Sequence, residues 1–156
     1  MGRCALLAWE TAVTSNRSSV AAQLGVSTGH ILLGVLKEDA CAGGLILSKL
    51  RLDLKLAFAV TEFVLLHGRR RDAPTRPLVD WGGVPHTTSA RTSLDFALEE
   101  ANLFTATYPI GTEHLLLGIL RIPEGTGCQV LRYLGVGEDD ARAARDDLWT
   151  LLRPEE

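Results

Sequence analysis

Apolar residues along this chain recur at helical spacing. Near the start, Ala5, Ala8, Trp9 and Ala12 stand at i, i+3, i+4 and i+7, the stripe that one helix face presents to a core. Leu94, Ala97, Leu98 and Ala101 repeat that stripe 89 residues later. The run from Thr28 to Lys37 returns as Thr112 to Arg121 at an offset of 84 residues, each with Thr-x-His, three apolar residues, Gly, two apolar residues and a cation. The register then continues without a gap. Gly43 falls on Gly127, Ile46 on Val130, Leu47 on Leu131, Leu50 on Leu134, and Ala57 and Ala59 on Ala141 and Ala143. A self-match of this length marks an internal repeat. The first copy carries five extra residues around Asn16 to Ser19, between its opening helix and its Thr-x-His motif. A loop insertion of that size costs little entropy.

Each copy predicts four helices, so the expected fold is all-α: two tandem four-helix repeats with pseudo-two-fold symmetry. The first repeat spans 1–66, a linker rich in Gly, Pro and Arg spans 67–89, and the second repeat spans 90–156, together forming one compact domain. Thr28 and Thr112 are placed to act as N-caps. The helices that follow are apolar on most sides, and Leu32, Leu36, Leu116 and Leu120 are expected to be buried together. Gly34 and Gly118 sit inside these helices, where glycine costs about 1 kcal/mol relative to alanine. Their presence in both copies predicts a neighbouring helix too close to admit a Cβ. The last helix opens on Glu138, Asp139 and Asp140, favourable beside the positive end of the helix dipole, with Ala141, Ala144, Leu148 and Leu151 as its buried stripe.

A net charge of −3 does not fit a general nucleic-acid binder, and the one basic run, Arg69-Arg70-Arg71, is followed by Asp72 and prolines and reads as solvated linker. The apolar start, Cys4 to Ala8, is too short for a secretory or membrane segment, which places the protein in the cytoplasm. Cys4, Cys41 and Cys128 are odd in number and lack a CxxC pair, so they predict no zinc site and no disulfide framework, only small buried side chains. His30 and His114 have no ligand-spaced partners and read as capping or packing groups rather than metal ligands. Trp9 and Trp149 lie on or beside apolar stripes, whereas Trp81, between Asp80 and Gly82, is a candidate contact residue.

Gly111 to Arg121, then Glu124-Gly125 and Leu131 to Val136, resemble the Clp N-terminal repeat, and Ala90 to Asn102 resembles that family's opening helix. Two such repeats form the N-terminal domain of Clp AAA+ unfoldases. The resemblance implies a docking platform for substrates and adaptors that performs no chemistry. An ATPase of that family needs a Gly-Lys step in its phosphate loop. None of the three lysines, Lys37, Lys49 and Lys55, follows a glycine, so the chain reads as a stand-alone member without the ATPase modules.

The expected function is therefore a non-enzymatic interaction module that docks substrates or adaptors or modulates a Clp protease complex. Its expected partners are Clp ATPase or protease subunits, adaptors or substrate proteins, with no cofactor, nucleic acid or membrane. The alternatives are a sequestering binder of small molecules or peptides that target Clp N-domains, and a Cys/His enzyme built on Cys41 or Cys128. Candidate partner-binding residues are Thr28, Gly29, Thr112, Glu113 and Trp81. The family resemblance implies a phosphoarginine contact from the Glu of each Thr-Glu-His motif. Only the second copy keeps that residue, as Glu113, while the first has Gly29, so phosphoarginine reading is expected to be weak.

Overall fold

The computed structural model describes residues 1–17, 25–68, 78–81, 83–103 and 109–152, without the side chains of 16, 17 and 78–81. The first repeat comprises α1 (Arg3–Arg17), α2 (Thr28–Lys37), α3 (Ala42–Lys49) and α4 (Leu54–His67). A hairpin of β1 (Leu78–Trp81) and β2 (Val84–His86) follows. The second repeat comprises α5 (Thr88–Asn102), α6 (Thr112–Leu120), α7 (Thr126–Tyr133) and α8 (Glu138–Leu152). The basic run at Arg69–Arg71 and the insertion beyond residue 17 lie outside the described residues. Among the described residues no helix is long and apolar enough to cross a membrane.

The two copies pack as the sequence symmetry requires. In each, the apolar helix lies against the opening helix, α2 on α1 and α6 on α5, and the halves interlock with α2 against α7 and α3 against α6. Leu32, Leu36, Leu116 and Leu120 share one buried cluster with the α1 stripe Ala5, Ala8, Trp9 and Ala12. The glycine expectation holds at both sites. A Cβ on Gly34 would strike the Ala8 carbonyl of α1, and one on Gly118 would strike the Ser93 carbonyl of α5.

Several local expectations are corrected. Cys4 and Cys41 form a disulfide, with Cα atoms 6.2 Å apart, that ties the start of α1 to the start of α3. Spacing along the chain could not reveal a pairing made by tertiary approach. Cys128 alone is the buried small residue expected. On α8, Leu151 is 78% exposed, and the inward position after Ala141 and Ala144 is taken by Arg145. On α5, Leu98 faces outward, although its repeat equivalent Trp9 is buried against the edge of the His86 ring. The segment ahead of α5 is not wholly a solvated link. His86 and Thr87 are buried, and Thr87 caps α5 by accepting from the Ala90 N–H at 3.1 Å. The hairpin is strapped to the first repeat. The Val26 N–H donates to the Pro85 carbonyl at 2.8 Å, and the Thr87 N–H donates to the Val26 carbonyl at 2.8 Å.

Candidate functional site

Thr28 and Thr112 open α2 and α6, and both are fully buried at the seam between the repeats. They are not the N-caps of their own helices, which are Ser27 and Gly111. Each threonine hydroxyl crosses the seam instead. Thr28 Oγ1 accepts from the Gly127 N–H at the start of α7, at 3.1 Å, and Thr112 Oγ1 accepts from the Gly43 N–H at the start of α3, at 2.9 Å. Each repeat thus satisfies an orphan helix-start donor in the other. Glycine is needed at both donor positions. A Cβ on Gly43 would lie 2.8 Å from the Thr112 carbonyl oxygen, and one on Gly127 would lie 2.8 Å from that of Thr28.

The motif histidines close the helix starts, in line with the capping reading. His30 Nδ1 accepts from the Ser27 N–H at 3.1 Å, and His114 Nδ1 accepts from the Gly111 N–H at 2.9 Å. An Nδ1 lone pair used this way requires the unprotonated nitrogen. For His114, burial lowers the pKa below the usual imidazole value of 6.5, and the nearby Glu113 carboxylate only partly opposes that. Glu113 is 5% exposed and folds back over Gly111, its Oε1 3.6 Å from His114 Nδ1. In the first copy Leu65 packs on the equivalent glycine: a Cβ on Gly29 would meet Leu65 Cδ2 at 2.9 Å and Thr126 Cγ2 at 3.1 Å.

Four of the five candidates, Thr28, Gly29, Thr112 and Glu113, therefore lie at buried helix starts, with Glu113 the one carboxylate among them. Trp81 lies apart in β1, paired with Val84, and its side chain is outside the described residues. Among the described residues no cluster of three or more His, Cys, Asp or Glu could hold a metal.

Sequence reasoning missed a dense charge cluster among the described residues. Glu100 on α5 is 1% exposed and accepts from three arginines. Arg142 grips both carboxylate oxygens, at 2.8 and 2.5 Å, while Arg145 reaches it at 3.3 Å and Arg121 at 3.5 Å. Arg142 also bonds Glu138, and Arg121 bonds Glu99 and covers the Phe96 ring. Burial raises the Glu100 pKa, but the hydrogen bonds and charge of Arg142, then the charges of Arg145 and Arg121, outweigh it and hold the group below its ordinary value. This cluster clasps α5 to α8. In the first copy the matched residues are Thr11, Phe58, Thr61 and Lys37, so the clasp is absent there. Those mismatches at otherwise matched repeat positions were the available sequence signal.

No family model matches the chain. It is 35% identical over 111 residues to an ATP-dependent Clp protease ATP-binding subunit ClpA homolog of Cyanidium caldarium, spanning 71% of this chain and 12% of that protein. It is 34% identical over 117 residues to the chloroplastic chaperone protein ClpC1 of Oryza sativa subsp. japonica, spanning 75% of this chain and again 12% of the relative. Its fold is similar to the N-terminal domain of the caseinolytic protease associated chaperone ClpD from Arabidopsis thaliana. That similarity has a TM-score of 0.72 at 20% identity and covers 96% of this chain and 94% of that one.

Proposed function

Since the chain belongs to the Clp N-terminal double-repeat domain family, we propose that it is a non-catalytic interaction module that docks substrate or adaptor proteins or modulates a Clp protease complex. The observation that carries this reading is a likeness running along almost the whole chain to a domain that is the N-terminal part of a chaperone. The chain spans about an eighth of the curated relatives it matches, so their ATP-driven activities are theirs. Two further observations support a non-catalytic role. The Cys41 sulfur is bonded to Cys4, and burial pushes the Cys128 thiol pKa up, the opposite of what activates a nucleophile. The test is binding of the immobilised protein to purified Clp ATPase, Clp protease and Clp adaptor proteins. Saturable binding to one of them is expected, and failure with all of them overturns the reading.

The same reading treats phosphoarginine as a poor ligand. Glu113 offers one largely buried carboxylate, and Leu65 fills the space at Gly29 where a second would stand. Calorimetric titration with free phosphoarginine should show little or no binding. Gly29→Glu should improve it only if Leu65 rotates aside. Tight binding by the unaltered protein would show that a second carboxylate is not required.

A further inference from the structure

The gap that the arginine clasp closes between α5 and α8 has an open counterpart between α1 and α4. Two depressions that share Thr14 and Ser15 run along it. One, of about 240 Å³, reaches Leu33, Leu65, Leu66 and Glu62, and the other, of about 470 Å³, reaches Leu7, Phe58, Glu10, Glu38 and Lys37. The lining mixes leucines and Phe58 with hydroxyls and His30, and it carries three carboxylates against a single lysine. Glu10 and Glu62 occupy the repeat positions of Glu99 and Asp146, each of which holds a guanidinium in the second copy, from Arg121 and Arg145. Among the described residues Glu10 and Glu62 form no ion pair.

We infer that the α1/α4 groove is a docking site for an arginine-bearing amphipathic segment of a partner protein. Its apolar side chains would lie on Leu7, Phe58 and Leu66, and its guanidiniums would lie beside Glu10 and Glu62 as Arg121 and Arg145 lie beside Glu99 and Asp146 in the second copy. The molecule supplies its own precedent for the chemistry. The same backbone frame binds guanidiniums between carboxylates and an aromatic ring in its second half, where Arg121 lies 3.7 Å from the Phe96 ring centroid. In the groove, Phe58 offers the ring and Glu10 and Glu62 the carboxylates. A guanidinium, being planar and weakly hydrated, suits such a half-apolar site better than an ammonium does. This inference rests on the docking reading above and can fail separately from it, because a Clp partner could bind elsewhere on the surface.

The probe is a fluorescein-labelled amphipathic peptide with leucines on one face and two arginines one helical turn apart, followed by anisotropy. Its control carries citrulline in place of both arginines. The arginine peptide should bind, more weakly at high salt, and the citrulline peptide should bind about tenfold more weakly or worse. Glu10→Lys/Glu62→Lys should weaken the arginine peptide by at least about tenfold. Thr11→Glu/Phe58→Arg, which installs the counterpart of the Glu100–Arg142 pair in the first copy, should close the groove and abolish binding while the helical circular dichroism persists. Three results would overturn the inference. One is equal binding of both peptides, another is binding unchanged by either double variant, and the third is no binding at all. Concentration-dependent dimerisation abolished by the same variants would overturn it too, by assigning the groove to a second copy of this chain.

Discussion

Replacing Glu100 with glutamine keeps the side chain's shape and removes its charge. Three guanidiniums then face a neutral amide that can accept on one atom and must turn its NH2 group toward Arg142. The expected cost depends on how far water compensates. Arg142 and Arg121 keep 29% and 28% of their side-chain surface, so solvent screens much of their charge, whereas Arg145 keeps 7% and Glu100 2%. Breaking a fully buried pair costs about 3–5 kcal/mol, and an exposed pair contributes less than about 1. A mixed site of this kind should lose about 2–3 kcal/mol, read from urea unfolding followed by far-UV circular dichroism. The companion variant Glu100→Thr/Arg142→Phe/Arg145→Thr gives the second copy three of the first copy's residues and leaves no fully buried charge in the cluster, since Glu138, Asp146 and Arg121 are solvent-accessible. It should be more stable than Glu100→Gln despite three substitutions, because removing a whole ionic group is far cheaper than removing one member. A Glu100→Gln protein within about 0.5 kcal/mol of the parent, or a triple variant less stable than the single one, would refute this account.

Gly34→Ala and Gly118→Ala, which raise helix propensity in an ordinary helix, should each destabilise by about 1–3 kcal/mol here, because the Cβ meets a backbone carbonyl of the neighbouring helix; a higher melting temperature in either would contradict that packing. Stability should fall as pH drops below about 6.5, since the unfolded chain takes up a proton that buried His114 resists. The contribution of Glu100 is present above its ordinary value of 4.5 and is lost as pH falls through its lower folded value, so a second acid loss should follow; stability that stays flat from neutral pH into this range would count against both assignments. Reduction of Cys4–Cys41, which bridges a sequence separation of 37, should cost about 3–4 kcal/mol in a thermal melt with and without dithiothreitol, and identical melts would show that the bond does not constrain the chain.

The fold was legible because the repeat and the helical stripes are statements about burial, and burial governs where a helix packs. Gly34 and Gly118 are the clearest instance: a costly residue repeated at one register position can mark a close helix crossing, and does so here. What sequence could not supply was anything fixed by partners far along the chain. Thr28 resembles a cap for its own helix, but its hydroxyl serves Gly127 of the other repeat, and Ser27 and His30 close its own helix start. Cys4 and Cys41 meet only because α1 and α3 start side by side. Nothing local to α8 marks Arg145 as buried, because charged side chains are rarely buried unless paired and its partner Glu100 lies on a different helix. At the seam the burial of Thr28, Thr112 and Glu113 was not foreseen.

The seam makes the two repeats interdependent, and that bears on how they can differ. Each half supplies the threonine that satisfies a helix-start N–H in the other, so neither repeat can complete its own α3 or α7 start when isolated. An orphaned buried N–H costs about 1–3 kcal/mol, and exposing the apolar faces of α2 and α6 would add to that loss. The pair should therefore unfold as one cooperative unit, with stability gained in one half shared by the other. The charged clasp in the second repeat can then support a first repeat whose α1/α4 gap is left unclasped. On the docking reading, this is how a symmetric frame comes to hold an asymmetric surface. One copy keeps its guanidiniums for itself, and the other leaves the matching carboxylates, Glu10 and Glu62, for a partner to engage.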